Sequence, residues 1–67
     1  MKMFEYKKIY VERCSYSDFI FVDKQLNIET KNEINFLNKE GNHGWELINV
    51  TKQDEYSKTY YFKREIN

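Results

Sequence analysis

Proline and alanine are both absent from the 67 residues, and glycine occurs only at Gly41 and Gly44. Two glycines cannot make a Gly-rich phosphate loop, and no stretch has the composition of a linker. The single cysteine, Cys14, has no internal disulfide partner, which fits a reducing compartment. One cysteine and one histidine, His43, fall short of the four ligands of a zinc site within a monomer. Neither sign of charge dominates, since eleven Lys plus Arg balance eleven Asp plus Glu. A protein that lives on nucleic-acid phosphates shows a basic excess, so nucleic acid is not the expected partner. The longest apolar run is Phe19-Ile20-Phe21-Val22, far short of a membrane span. Charges interrupt the opening MKMFEYKKIY where a signal peptide needs an apolar stretch, and a cytoplasmic protein is expected.

Aromatic residues are abundant, at six Tyr, five Phe and Trp45. A chain of this length reads as one domain, residues 1–67, and buries only about 60% of its unfolded surface. Large rings supply the bulk that a longer chain takes from aliphatics. Six Ile, three Val and three Thr tilt the expectation toward strands.

Met3 to Glu12 reads as a strand, with Lys7 and Lys8 interrupting its apolar alternation. After a turn-like Arg13-Cys14-Ser15-Tyr16-Ser17, the run Phe19 to Val22 between Asp18 and Asp23 reads as a short strand. Thr30 and Glu33 have capping-box spacing, Ile34 and Leu37 form an i, i+3 apolar pair, and Gly41 can end the helix. These signals predict a helix over about residues 31 to 40, with Phe36 at the edge of its apolar stripe or outside it. Trp45 to Val50 reads as a strand, Thr51 to Ser57 as a loop or hairpin connection, and Lys58 to Glu65 as a strand. The expected class is α+β: a small antiparallel sheet of three to four strands, in β-β-α-β-β order, with one helix on one face.

One helix covers one side of a sheet, yet each strand carries large apolar groups on both parities. Trp45 and Leu47 oppose Ile48 and Val50, and Tyr61 opposes Tyr60 and Phe62. A second copy of the chain is the expected cover, so a homodimer or higher homo-oligomer is expected.

The opening Phe4-Glu-Tyr-Lys7, the stretch Leu37-Asn-Lys-Glu-Gly-Asn-His-Gly-Trp-Glu-Leu-Ile-Asn-Val50 and the closing Tyr60-Tyr-Phe-Lys-Arg64 resemble a small bacterial and phage family known as domain of unknown function 4177. The resemblance covers both ends and the middle of the chain, and residues 13–28 carry none of it. It implies a small sheet-plus-helix fold and supplies no reaction, ligand or catalytic residue. The matching residues themselves read as structural: Gly41 ends the helix, Gly44 permits a tight turn, and Trp45, followed by Leu47, seals helix against sheet. Glu46 reads as the partner of Lys63 or Arg64 on a neighbouring strand.

Catalytic chemistry is hard to assemble from this inventory. His43 has only Glu40 and Glu46 as sequence-local partners and reads as a ligand of the last helical carbonyls. Cys14 has only Arg13 nearby to lower its pKa. Asp18 and Asp23 read as edge charges that oppose aggregation. No enzyme activity, metal or cofactor is expected. Tyr6, Lys7, Tyr60, Tyr61, Lys63 and Arg64, on the first and last strands, form the candidate binding surface, with its cations split between the two faces. The expected function is a homo-oligomeric interaction module that binds another protein through a sheet edge or aromatic face. The alternative is a small oligomer that captures a nucleotide-like or other anionic small molecule at a subunit interface, as would suit a phage- or mobile-element-encoded inhibitor.

Overall fold

A computed structural model describes residues 1–66. The fold is α+β: strands β1 (Met3–Glu12), β2 (Phe21–Asp23) and β3 (Ile28–Thr30), helix α1 (Glu33–Asn42), then strands β4 (Glu46–Asp54) and β5 (Ser57–Ile66). β1, β5 and β4 form an antiparallel sheet with β5 in the centre, and β2 and β3 form a separate hairpin. The first and last strands pair along their whole length, from Met3 opposite Ile66 to Glu12 opposite Ser57.

The segment after β1 holds two short strands where the sequence suggests one. The run from Phe19 is extended and paired only over Phe21–Asp23, and β3 follows after a turn. That turn has no glycine or proline. Asp23 Oδ1 accepts the backbone N–H groups of Gln25 and Leu26, and Asn27 takes a left-handed φ of 57°. An aspartate that folds back onto the chain and an asparagine that tolerates positive φ replace the usual turn residues. Asp23 is consequently buried, and is no edge charge.

The helix is shifted and rotated relative to its sequence reading. Asn32, not Thr30, is the N-cap: its carboxamide oxygen accepts the Asn35 N–H at 2.9 Å, while Thr30 Oγ1 accepts from Asn32 N. Glu33 is freed from the capping box and receives the Tyr60 hydroxyl. Phe36 is fully buried and Ile34 is 61% exposed. The face turned to the sheet is therefore Phe36, Leu37 and Glu40, which breaks the hydrophobic-stripe rule because a carboxylate replaces an apolar residue one turn after Phe36.

The helix also runs past Gly41. It ends in a Schellman arrangement, with Gly44 N–H on the Gly41 carbonyl and Trp45 N–H on the Glu40 carbonyl. Gly44 supplies the left-handed residue at φ 85°, and a Cβ there would lie 3.2 Å from Arg64 Cδ, whereas a Cβ on Gly41 meets nothing. The two glycines should thus respond oppositely to alanine. Gly41→Ala should stabilise by about 0.8–1 kcal/mol through helix propensity. Gly44→Ala should destabilise by about 1–2 kcal/mol from left-handed strain alone. Paired thermal melts of the two variants check this.

β4 departs from strict alternation. A register break between Leu47 and Asn49 places Leu47 opposite Phe62 and Val50 opposite Tyr60, so both lie on the inner face. The strand continues through the polar stretch to Asp54 and turns at Glu55-Tyr56. The inner face carries the core. Tyr60 and Phe62 of β5 meet Phe36 edge-on, and Phe21 of the hairpin stacks on Phe36 with centroids 5.1 Å apart. Val11, Ile28 and Trp45 close the cluster.

Candidate functional site

The lysine that interrupts the apolar alternation of β1 lies inside the protein. Lys7 stands opposite Phe62 on the inner face, and its Nζ lies 2.6 Å from both Asp23 Oδ2 and Glu40 Oε1. Three elements meet there: β1, the β2–β3 turn and the last turn of α1. Glu40 is fully buried, Asp23 nearly so, and the Lys7 side chain is only 15% exposed. Trp45 roofs the cluster, with Lys7 Nζ 4.3 Å from its ring centroid. Arg64 lies at the same distance from that ring, while its guanidinium donates to Glu5 and to the His43 carbonyl. A cation over an indole gains about 0.5–2 kcal/mol as water is removed. Gly44, Trp45 and Arg64 therefore form one unit: the glycine leaves room for the arginine stem, and the arginine covers the tryptophan.

The charge balance of the cluster is uneven, with two carboxyl groups and one ammonium. Burial, reinforced by the neighbouring Asp23, pushes the Glu40 carboxyl up to about 7 against the pull of Lys7. Burial would raise Asp23 as well, but the Glu40 carboxyl beside it, the hydrogen bonds from Lys7 and the Leu26 backbone, and the Lys7 charge hold it below its ordinary value. Glu40 Oε2 and Trp45 Nε1 are buried without a hydrogen-bond partner among the described residues. A displaced glutamate pKa beside a lysine marks many catalytic sites. Here Glu40 has no exposed surface, and a groove elsewhere on the protein is lined by other residues.

The six candidate surface residues divide by parity. Lys7 and Tyr60 face the core, where the Tyr60 hydroxyl donates to Glu33 and its ionisation is raised by burial and then by that carboxylate. Arg64 is on the same inner face, over Trp45. Tyr6, Tyr61 and Lys63 lie on the outer face, where Tyr6 is 67% exposed and Lys63 rests 5.0 Å above the Phe4 ring. Glu46 stands opposite Lys63 but makes no ion pair with it among the described residues; Glu5 takes Arg64 instead.

Sequence reasoning missed a second cluster, at the far end of the sheet. Arg13 donates from Nε to the Glu55 carbonyl and packs its guanidinium near Phe19, Tyr16 and Tyr56. A groove of about 440 Å³ beside it is lined by Glu12, Arg13, Cys14, Ser17, Asp18 and Ile20. Cys14 is exposed there, and two carboxylates face one guanidinium. His43 is exposed, with Nδ1 3.0 Å from the Lys39 carbonyl. Among the described residues no three His, Cys, Asp or Glu side chains converge to hold a metal, and no helix is long and apolar enough to cross a membrane.

No curated protein and no solved structure matches the chain. A family model does, over residues 4–65, from the second residue of β1 to the ninth of β5. The chain belongs to the family described as Domain of unknown function (DUF4177).

Proposed function

We propose that the chain is a non-enzymatic interaction module that assembles with copies of itself through the outer face of its three-stranded sheet. The observation that carries this reading is the uncovered aromatic row Phe4, Tyr6 and Tyr10 on β1, beside Tyr61 on β5. Helix and hairpin both lie on the opposite side, so apart from the Lys63 stem over Phe4 no other element covers these rings. The molecule exposes 5,028 Å². A compact monomer of its 8.3 kDa exposes about 4,600 Å². The excess is in keeping with a face meant to be covered. The face is close to neutral, with Lys8 and Lys63 set among Glu12, Glu46 and Glu65, which allows pairing with an identical face.

The face is a better contact surface than the β4 edge. The β4 edge carries two register breaks, and the Asn49 side chain takes the Val50 backbone N–H, so it is a poor template for an added strand. A partner protein with a flat apolar surface would compete with self-assembly for the rings. The capture of a small anion has less support, because the groove beside Arg13 carries more negative than positive charge.

Three strands of nine or ten residues span roughly 33 by 14 Å. Two such faces bury about 1,000 Å², near the lower limit of a stable interface. Sedimentation velocity should therefore show a concentration-dependent oligomer, and Tyr6→Lys with Tyr10→Lys should make it monomeric with an unchanged circular dichroism spectrum. A wild-type monomer at all concentrations would refute the proposal.

A further inference from the structure

The Lys7 cluster holds a charge arithmetic that the proposed assembly does not use. One ammonium faces two carboxyl groups in a site from which water is almost excluded. With both carboxyls ionised the site would hold an uncompensated negative charge, and desolvating a charge without compensation costs several kcal/mol. A single proton restores neutrality. Asp23 is a poor place for it, since Oδ1 already accepts two backbone N–H groups and Oδ2 accepts from Lys7. Glu40 is the better place: Oε1 accepts from Lys7, and Oε2 has no donor.

We propose that Glu40 is a built-in proton switch, carried as the neutral acid within the folded protein, so that the docking of α1 and the β2–β3 turn on the sheet loosens as the pH rises past neutrality.

The displacement of Glu40 to about 7, caused by burial and by the neighbouring Asp23, agrees in direction. The linkage follows from the sign. A glutamate held above its ordinary 4.5 binds its proton more tightly in the folded than in the unfolded state. Its stabilisation is complete below pH 4.5 and is lost as the pH rises through 7. Asp23, held below its ordinary 3.8, acts on the other side: its contribution is present above that value and is lost under stronger acid. Stability should therefore peak near pH 4–5 and fall on both sides.

The other charges around Glu40 can be separated from it. Lys7 and, across Trp45, Arg64 are the other charged groups at the cluster, and Glu5 lies on the far side of Arg64. His43 is the confounding group. It sits on the Lys39 carbonyl at the helix end, where any positive charge is favoured by the helix dipole, and His43→Asn removes it.

Urea unfolding of the full chain between pH 4.5 and 8 tests the switch, followed by fluorescence of Trp45, the sole tryptophan and the roof of the cluster. For the wild type the unfolding constant should rise on the order of a hundredfold across that range. Glu40→Gln presents an amide in the shape of the neutral acid and should abolish the rise, whereas His43→Asn should retain it. A Glu40→Gln variant with the wild-type slope, or a slope that vanishes with His43→Asn, would overturn the proposal. Carboxyl carbon NMR of the wild-type protein labelled at glutamate gives a second reading that needs no variant. One buried glutamate should titrate near neutrality, and ordinary titration of every glutamate would equally overturn it.

Discussion

Lys7→Met is expected to cost the protein a large share of its stability. The substitution keeps the length and apolar stem of the side chain, so the packing against Trp45 and Phe62 survives in volume. What goes is the only cation between Asp23 and Glu40. Even with one proton shared, a carboxylate then lies buried beside an indole with no counter-charge, and breaking a buried pair in this way costs about 3–5 kcal/mol. A domain of this size is stable by roughly 3–10 kcal/mol in total. Urea titration followed by circular dichroism should show the midpoint fall by about a third or more. The cost should come from the orphaned acids and not from the lost lysine. A triple variant, Lys7→Met with Asp23→Asn and Glu40→Gln, removes all three charges and keeps an oxygen to cap the β2–β3 turn. It should recover most of the lost stability; failure to recover would show that the ammonium contributes more than neutralisation.

Phe36→Ala is the second large effect. The ring has no exposed surface and touches the hairpin and the central strand together, through Phe21, Tyr60 and Phe62. Truncation opens a cavity where helix, hairpin and sheet meet, at about 3–5 kcal/mol. Ile34→Ala, two residues away on a mostly exposed face, should stay within about 0.5 kcal/mol. The contrast fixes the rotation of α1 about its axis. Equal losses at the two positions would mean that the helix presents a different face to the sheet.

Those two variants mark where the sequence was hard to read. The alternation of β1 and β5, the helix between them and the sheet-plus-helix class were all legible, because long periodic segments declare themselves. The rotation of α1 was not. Its inward face contains Glu40, and a pattern search that scores glutamate as polar turns the helix toward Ile34 and Leu37. Lys7 broke the β1 pattern and Asp23 bounded an apolar run; each was visible as an interruption, but nothing in the sequence showed that the three charges meet. The β2–β3 hairpin escaped for a related reason: its turn is made by Asp23 and Asn27 without glycine or proline. The outer-face residues Tyr6, Tyr61 and Lys63 were legible as a surface, whereas Tyr60 and Arg64 could be placed only by parity and register.

The central position of β5 has a kinetic consequence. Both of its neighbours are made earlier, β1 almost the full described length earlier, and neither can pair across the sheet until residues 57–66 have left the ribosome. Up to that moment β1 presents Phe4, Tyr6 and Tyr10 on an unpaired strand. The nascent chain therefore passes through a period of aggregation risk, and refolding must close nearly the longest loop available to it before any ladder between β1 and β5 rewards the closure. Slow, long-range strand pairing is the expected rate-limiting event. Joining the ends near Met3 and Ile66 and opening the chain between β1 and β2 would make that pairing local while keeping the β4–β5 hairpin, so such a permuted chain should reach the same native sheet faster.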